Sequence, residues 1–376
     1  MTMTKRLLAG VMLLVMAFSL FGCAQQGEGE ASSSGADVPK ASGEGLQQDA
    51  DKPTPNVNLI TGEALKEGQT PGKRPVAIMV SNIAQALPQR GIGSADAVLE
   101  METEGGITRL MAFFADPASV PNTGPVRSAR DQHLQFALPL NAVLVHIGTS
   151  IYAKNLLNEY AYQDINGLYL GTTSFALDEE RRKTRNQEHC WYTDAALISA
   201  GMTQNGIVPD GSKNTLLNFA APGKTVTLNG GDAPHVRFLA SNTTEVQMVY
   251  DAASGTYLKT EYSNPIVDEA TGAQLSYKNV FVLFAKVTLK PDGNCTDFAL
   301  TSGTGYYFCG GKYQKIQWKK GDVTEPLQIL DENGKEFNVN TGKSYIAVVR
   351  RELEKELKPD INAAAPAASS ASAPAA

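Results

Sequence analysis

Residues 7–21 carry no charge and are almost entirely apolar, and they follow directly on Lys5 and Arg6. A membrane-spanning helix needs about 20 apolar residues. The run falls short of that and has the length of the apolar centre of an export signal behind its basic flank. It stops at Leu20-Phe21-Gly22-Cys23, and polar sequence begins at once. Residues 1–22 are therefore read as a signal peptide, and the remainder of the chain is expected to fold outside the cytoplasm.

The stop has a specific form. An aliphatic residue, a loose position, a small residue and then cysteine resembles the lipobox of bacterial lipoproteins. The chemistry needs a small residue before the cut and a thiol after it. Lipid on Cys23 makes it the mature N-terminus and holds the chain on the outer face of the bacterial cell membrane, with the membrane itself as first partner. Residues 23–56 are Gly, Ser, Gln and acidic residues with almost nothing apolar. They cannot bury enough surface to offset their ordering entropy, so they read as a tether. Residues 354–376 end in Ala, Pro and Ser alone, and read as a disordered tail.

The folded part is then 57–353, a length that suits two domains. The whole chain has a net charge of −6. The signal's +2 and the tether's −5 leave the rest near −3, which offers no surface for nucleic acid. The first half, 57–225, alternates strand and helix signals. Residues 74–80 and 141–147 are apolar runs suited to buried strands. Residues 95–104 and 107–115 read as strands joined by Gly105-Gly106, a two-residue hairpin loop in which both positions can take positive φ. Helices are expected over 126–138, 151–160 and 195–204. The second half, 226–353, is strand after strand with turn residues between. The expected fold is an α/β N-terminal domain with a mixed sheet, followed by a β-rich, α+β C-terminal domain.

Several stretches carry a further signal. They are Arg74-Pro75-Val76-Ala77-Ile78-Met79-Val80-Ser81-Asn82, Ala95-Asp96-Ala97-Val98-Leu99-Glu100, Glu104-Gly105-Gly106-Ile107-Thr108-Arg109, Gly124-Pro125-Val126-Arg127-Ser128-Ala129-Arg130 and His146-Ile147-Gly148-Thr149-Ser150. Further along come Asp268-Glu269-Ala270-Thr271-Gly272, Gly310-Gly311-Lys312 and Gly342-Lys343-Ser344-Tyr345-Ile346. In this order they resemble the YerB-like lipoprotein family, a group of bacterial envelope lipoproteins catalogued as domains of unknown function. The resemblance implies the same two domains and names no reaction. The family pattern carries Pro-His-Asn where this chain has Glu188-His189-Cys190; the histidine is kept.

Read residue by residue, the hairpin is the densest polar feature. With a two-residue loop, Glu102 faces Arg109, and Glu100, Glu102 and Glu104 share a face at period two. Arg127 and Arg130 are expected on the first turns of a helix, where they either neutralise the glutamates or hold an anionic group with the helix amides. His146 falls at the end of a strand, with Ser150 beyond it, where α/β sheets collect ligands. The candidate ligand site is Glu104, Arg109, Arg127, Ser128, Arg130, His146, Ser150 and His189.

No metal-ligand spacing, nucleophile elbow or phosphate loop is present, so no metal or cofactor is expected. The reading is a binding protein for an anionic cell-wall fragment or an envelope protein. Two alternatives stand beside it: a cell-wall hydrolase or transferase using Glu104 or His146 as acid–base, and a non-catalytic scaffold. Cys295 and Cys309 are expected to close a disulfide across a hairpin, since the stretch between them reads as a strand over 296–300, a turn at Thr301-Ser302-Gly303 and a strand over 306–308.

Replacing Cys23 with alanine should leave an uncleaved or soluble precursor. Metabolic labelling with a fatty acid checks this, and a labelled Cys23→Ala protein would remove the lipobox reading.

Overall fold

The computed structural model describes Leu46 and residues 51–359. The signal, Cys23, nearly all of the tether before 51 and the tail beyond 359 lie outside the described residues. Val76–Ser81 (β1) is buried at all six positions, as are Ala97–Glu102 (β2) and all seven positions of Thr108–Phe114 (β3). Strands covered on both faces have no reason to alternate apolar and polar, so they read as continuous apolar runs. Val143–His146 (β4) and Asp164–Asn166 (β5) complete this flank. Three helices accompany it: Asp131–Ala137 (α1), Ile151–Glu159 (α2) and Ala195–Asn205 (α3). Side chains of Ser150 and Asp194 cap α2 and α3 by accepting from free amides of the first turn.

The second half supplies two groups of strands. His235–Leu239 (β6), Glu245–Asp251 (β7) and Thr256–Glu261 (β8) form the body of a small antiparallel sheet. Asn279–Ala285 (β9), Ser302–Cys309 (β10), Lys312–Lys319 (β11), Gln328–Leu330 (β12) and Ser344–Arg350 (β13) instead join the first half. The large sheet runs β12-β11-β10-β9-β13-β2-β3-β1-β4-β5. It is mixed: β2–β13, β9–β13, β1–β4 and β4–β5 are parallel, and the remaining pairs along this order are antiparallel.

Both faces of the large sheet are covered. One carries Ala77, Met79, Leu99, Met111, Phe281 and Ile346 against α1 and α2. On the other, Ile78, Val98, Leu110, Val282 and Tyr345 meet α3 and the inward side of the small sheet.

The large sheet runs across the expected 225/226 boundary: β2 and β13 pair in parallel over it, and both cores continue through the seam. The composition shifts there from helix-bearing to strand-rich, and the hydrogen bonds of β2's free edge are met by the second half. Two expectations are corrected. Residues 354–359 are not part of a tail. Residues Arg351–Glu356 form a 3-10 helix, Lys358–Pro359 pairs with β6, and Leu357 is buried against the core.

Cys295 and Cys309 are not bridged. Cys295 ends the turn before Thr296–Phe298, which pairs with Val287–Leu289. Cys309 ends β10, opposite Asn279 of β9 and Lys312 of β11. The anticipated hairpin between the two cysteines does not form, since β10 has both edges occupied, by β9 and β11.

Because the seam shares one core, residues 57–225 and 226–359 expressed separately should each fail to fold. At pH 5 the whole chain should unfold in a single transition. Two resolved calorimetric transitions would contradict this.

Candidate functional site

β1, β2, β4 and β5 run in one direction, so their C-terminal ends, at Ser81, Glu102, His146 and Asn166, share one rim of the sheet. The hairpin turn lies on the same rim. Its loop holds three residues, not two. Thr103 donates to the Ile107 carbonyl at 2.8 Å, and Glu104-Gly105-Gly106 makes the turn, with φ of 65° and 78° at the glycines. The extra residue shifts the register by one. Met101 therefore faces Arg109, and Glu102 faces Thr108.

That shift divides the three glutamates. Glu102 takes a bidentate contact from Arg350 at 2.5 and 2.7 Å. Glu100 turns toward the small sheet and pairs with Lys259 at 2.9 Å. Glu104 goes to the α1 side, where Arg130 contacts both its oxygens at 2.9 and 2.5 Å and Arg109 lies at 3.4 Å. Arg109 also donates to the Ser128 carbonyl at 3.0 Å. Burial alone would raise the Glu104 pKa. The Arg130 hydrogen bonds and the two guanidinium charges prevail and hold it at about 2. Burial and the charge of Arg130 push the Arg109 guanidinium down; an arginine so placed still carries its charge at neutral pH.

The arginines do not sit on helix turns as expected. Residues 126–129 are extended, since Val126 and Arg127 donate to the Trp191 and Met79 carbonyls. Arg130 is the residue before α1. Arg127 stands apart from Glu104 and meets Glu188 at 3.0 Å.

His146 is fully buried, with Nε2 2.6 Å from an Asp164 carboxylate oxygen and Nδ1 2.7 Å from the Gly148 carbonyl. Both ring nitrogens face acceptors, so neither is open to a substrate. Ser150 caps α2. His189 is buried beside Glu188, at 3.3 Å, and burial lowers its pKa. Burial raises the Cys190 thiol, which hydrogen-bonds to the Asn186 carbonyl at 3.4 Å. His133 was not singled out from the sequence. Its Nε2 lies 3.2 Å from the Arg109 carbonyl, and burial pushes it down to about 3, keeping it neutral.

The predicted residues thus share a rim but form three separate contacts: the Glu104 knot, the Arg127–Glu188 pair and the His146–Asp164 pair. Sequence reasoning missed the exposed apolar residues beside them. Ile151 is 55 % exposed, Leu168 68 % and Tyr169 77 %. All three come after β4 or β5. A Cβ on Gly148 would sit 3.2 Å from the Ser128 hydroxyl and 3.5 Å from Leu168, which places Leu168 next to the 127–130 segment. The clue was present in Gly167-Leu168-Tyr169-Leu170, an apolar run just past a strand.

A cavity of about 360 Å³ opens at the opposite rim among Pro117, Ala195, Met202 and Ile207, away from every predicted residue. Among the described residues, no three His, Cys, Asp or Glu side chains converge as a metal site, and no helix is long and apolar enough to cross a membrane.

Comparison with known proteins agrees with this architecture. The model of the N-terminal domain of a protein of unknown function (DUF3048) matches residues 60–208, and that of its C-terminal domain matches 234–346. The chain is 29 % identical over 295 residues to "Putative lipoprotein YerB" of Bacillus subtilis (strain 168), covering 78 % of this chain and 83 % of that protein. The crystal structure of the Bacillus subtilis YerB protein superposes with a TM-score of 0.68 at 26 % identity, over 81 % of this chain and 98 % of that one.

Glu104→Gln should cost about 3 kcal/mol, because it strands two buried guanidinium groups. The carboxylate's folded pKa of about 2 lies below its ordinary 4.5. Its stabilisation is therefore complete above about pH 4.5 and lost as pH falls toward 2. Urea unfolding at pH 5 and pH 3 checks this: the acid-induced loss attributable to Glu104 should be missing from the variant.

Proposed function

The chain belongs to the YerB-like lipoprotein family, defined by the two DUF3048 domains of unknown function, and we propose that it is lipid-anchored on the outer face of the bacterial cell membrane and binds a ligand at the C-terminal rim of its large sheet, without catalysis. The observation that carries the reading is the exposure of Ile151, Leu168 and Tyr169 just past β4 and β5, with Leu168 against Gly148 and Ser128, the residue next to Arg127. Large apolar side chains exposed together mark interaction sites. Arg127 supplies a fork for a carboxylate or phosphate. Its present partner, Glu188, is 47 % exposed and can give way to an incoming anion at little cost.

The chemistry of the rim supports binding over turnover. Glu104 is held at about 2 by its arginines, too acidic to serve as a base near neutrality. His146 has both nitrogens occupied, and the Cys190 thiol is buried and raised. A ligand that suits an apolar-aromatic patch beside one guanidinium is a cell-wall fragment, whose peptide carries carboxylates and whose sugars can lie on Tyr169. An envelope protein presenting an acidic, apolar surface is the second reading, and it rests on the same exposed residues.

Calorimetry with purified muropeptides tests the first. Wild type should bind, and Arg127→Ala and Tyr169→Ala should each weaken binding by about tenfold or more, the size of one lost charge-assisted hydrogen bond or stacking contact. Equal affinities in the three proteins, or none in wild type, would remove the cell-wall ligand. Cross-linking to a protein through position 169 would then favour the second reading.

A further inference from the structure

The small sheet meets the large one through charge, not only through apolar packing. Along β8, Tyr257, Lys259 and Glu261 face inward and are almost fully buried. The Lys259 ammonium lies 2.5 Å from a Glu261 oxygen and 2.9 Å from Glu100 of β2. Asn82, just past β1, donates to both carboxyl groups, at 3.1 Å to Glu100 and 2.9 Å to Glu261. Glu100 also accepts from Thr108 of β3 at 2.8 Å and from the Tyr345 hydroxyl of β13 at 2.5 Å. Two carboxyl groups and one ammonium, none reached by water, leave one negative charge too many if both carboxyls ionise. Low-dielectric surroundings penalise such an excess charge, and retaining a proton is the less costly outcome.

We propose that Glu100, Lys259 and Glu261 form a one-proton clasp that docks the small sheet on the large one, and that losing this proton loosens the small sheet while the large sheet stays folded. The proton resides on Glu261. Glu100 has three neutral donors besides the ammonium, whereas Glu261 has Asn82 and the ammonium. Burial, and then repulsion from Glu100, push Glu261 up to about 7. The remaining titratable groups around the clasp are the buried phenols of Tyr345 and Tyr277 and the partly buried one of Tyr262. Beyond them lie Asp268, and Lys343 over the Tyr277 ring at 5.3 Å. Burial and neighbouring carboxylates hold the three phenols above their ordinary value, so they stay protonated across the range concerned.

Linkage sets the direction. A carboxyl whose folded pKa lies above its ordinary 4.5 favours docking fully below about pH 4.5. That contribution is lost as pH rises through about 7. The buried histidines act in the opposite sense. His133 and His189 are pushed down from 6.5, so they favour the folded state as pH rises toward 6.5. A wild-type pH profile mixes the two effects, and only the difference from a clasp variant isolates Glu261.

Hydrogen exchange of the full chain at pH 5, 6.5 and 8, corrected for intrinsic rates, is the test, with Glu261→Gln and Glu100→Gln beside wild type. In wild type, protection of β6, β7 and β8 should fall roughly ten- to a hundredfold between pH 5 and 8, within the limit of about 300-fold that the pKa displacement allows. Protection of β1 and β3 should fall much less. Glu261→Gln, which mimics the protonated carboxyl, should keep β6–β8 protected at pH 8. Glu100→Gln relieves the excess charge and should do the same. Difference infrared spectroscopy provides a second readout that does not depend on either variant's stability: a buried carboxylic-acid band in wild type that disappears between pH 6 and 8. Equal loss of protection in wild type and Glu261→Gln, or no such band at pH 6, would overturn the clasp.

Discussion

Residues 97–101 of β2 lie in parallel register with 344–348 of β13, strands separated by most of the chain, and the architecture depends on this pairing. Without it, β2 and β13 would each present an open, apolar edge, which sheets do not tolerate in water. The pairing also decides what each half can bury. Val98 and Leu99 on one side of the seam, and Ile346 and Tyr345 on the other, belong to cores that neither half completes alone. Closing so long a loop costs little more than closing a moderate one, because the entropy grows only with the logarithm of length. Long-range pairing can thus join two stretches of different composition without a large entropic penalty.

This is also why the strands could be read from the chain and their partners could not. Val76–Ser81 and Val143–His146 announce themselves as apolar runs because both faces are covered. The change at about 226 from alternating to strand-rich sequence is real, yet it marks a change in local propensity and not a boundary in packing. Edge pairing is settled by backbone hydrogen bonds whose partners leave no local trace. The cysteine pairing failed for the same reason: the spacing of 295 and 309 permits a hairpin, but β10 has better partners on both edges, β9 and β11.

At the rim, the residue types were legible and their alliances were not. Period two places Glu100 and Glu102 on one face, and the strand extends no further, so Glu104 enters the turn and crosses to the other. One added loop residue was enough to separate Arg109 from Glu102. The true partners, Lys259 for Glu100 and Arg350 for Glu102, stand 159 and 248 residues away. In β8 the pattern actively misleads. Its buried face carries Lys259 and Glu261, while Leu258 is half-exposed. No rule that sends apolar residues inward would assign that strand correctly, because charge is what fastens this layer.

The three glutamates therefore act as three fastenings from a single hairpin: Glu104 to the approach to α1, Glu102 to the end of β13, and Glu100 to the small sheet. Removing Glu104 or Glu102 would leave an arginine buried or half-buried without its carboxylate, and Glu100 is enclosed between the two sheets, so none can be lent to a ligand from outside. Arg127 differs in one physical respect. Its carboxylate partner, Glu188, already stands half in water, and exchanging one carboxylate for another there changes little desolvation. Once the ion pairs that hold the layers together are set aside, what remains on the rim is a guanidinium with a replaceable partner and, past β4 and β5, Ile151, Leu168 and Tyr169 in solvent. A molecule that bound there would gain a charge-assisted contact and cover apolar surface while every fastening stayed closed. This is the condition under which a rigid scaffold can bind without first having to open.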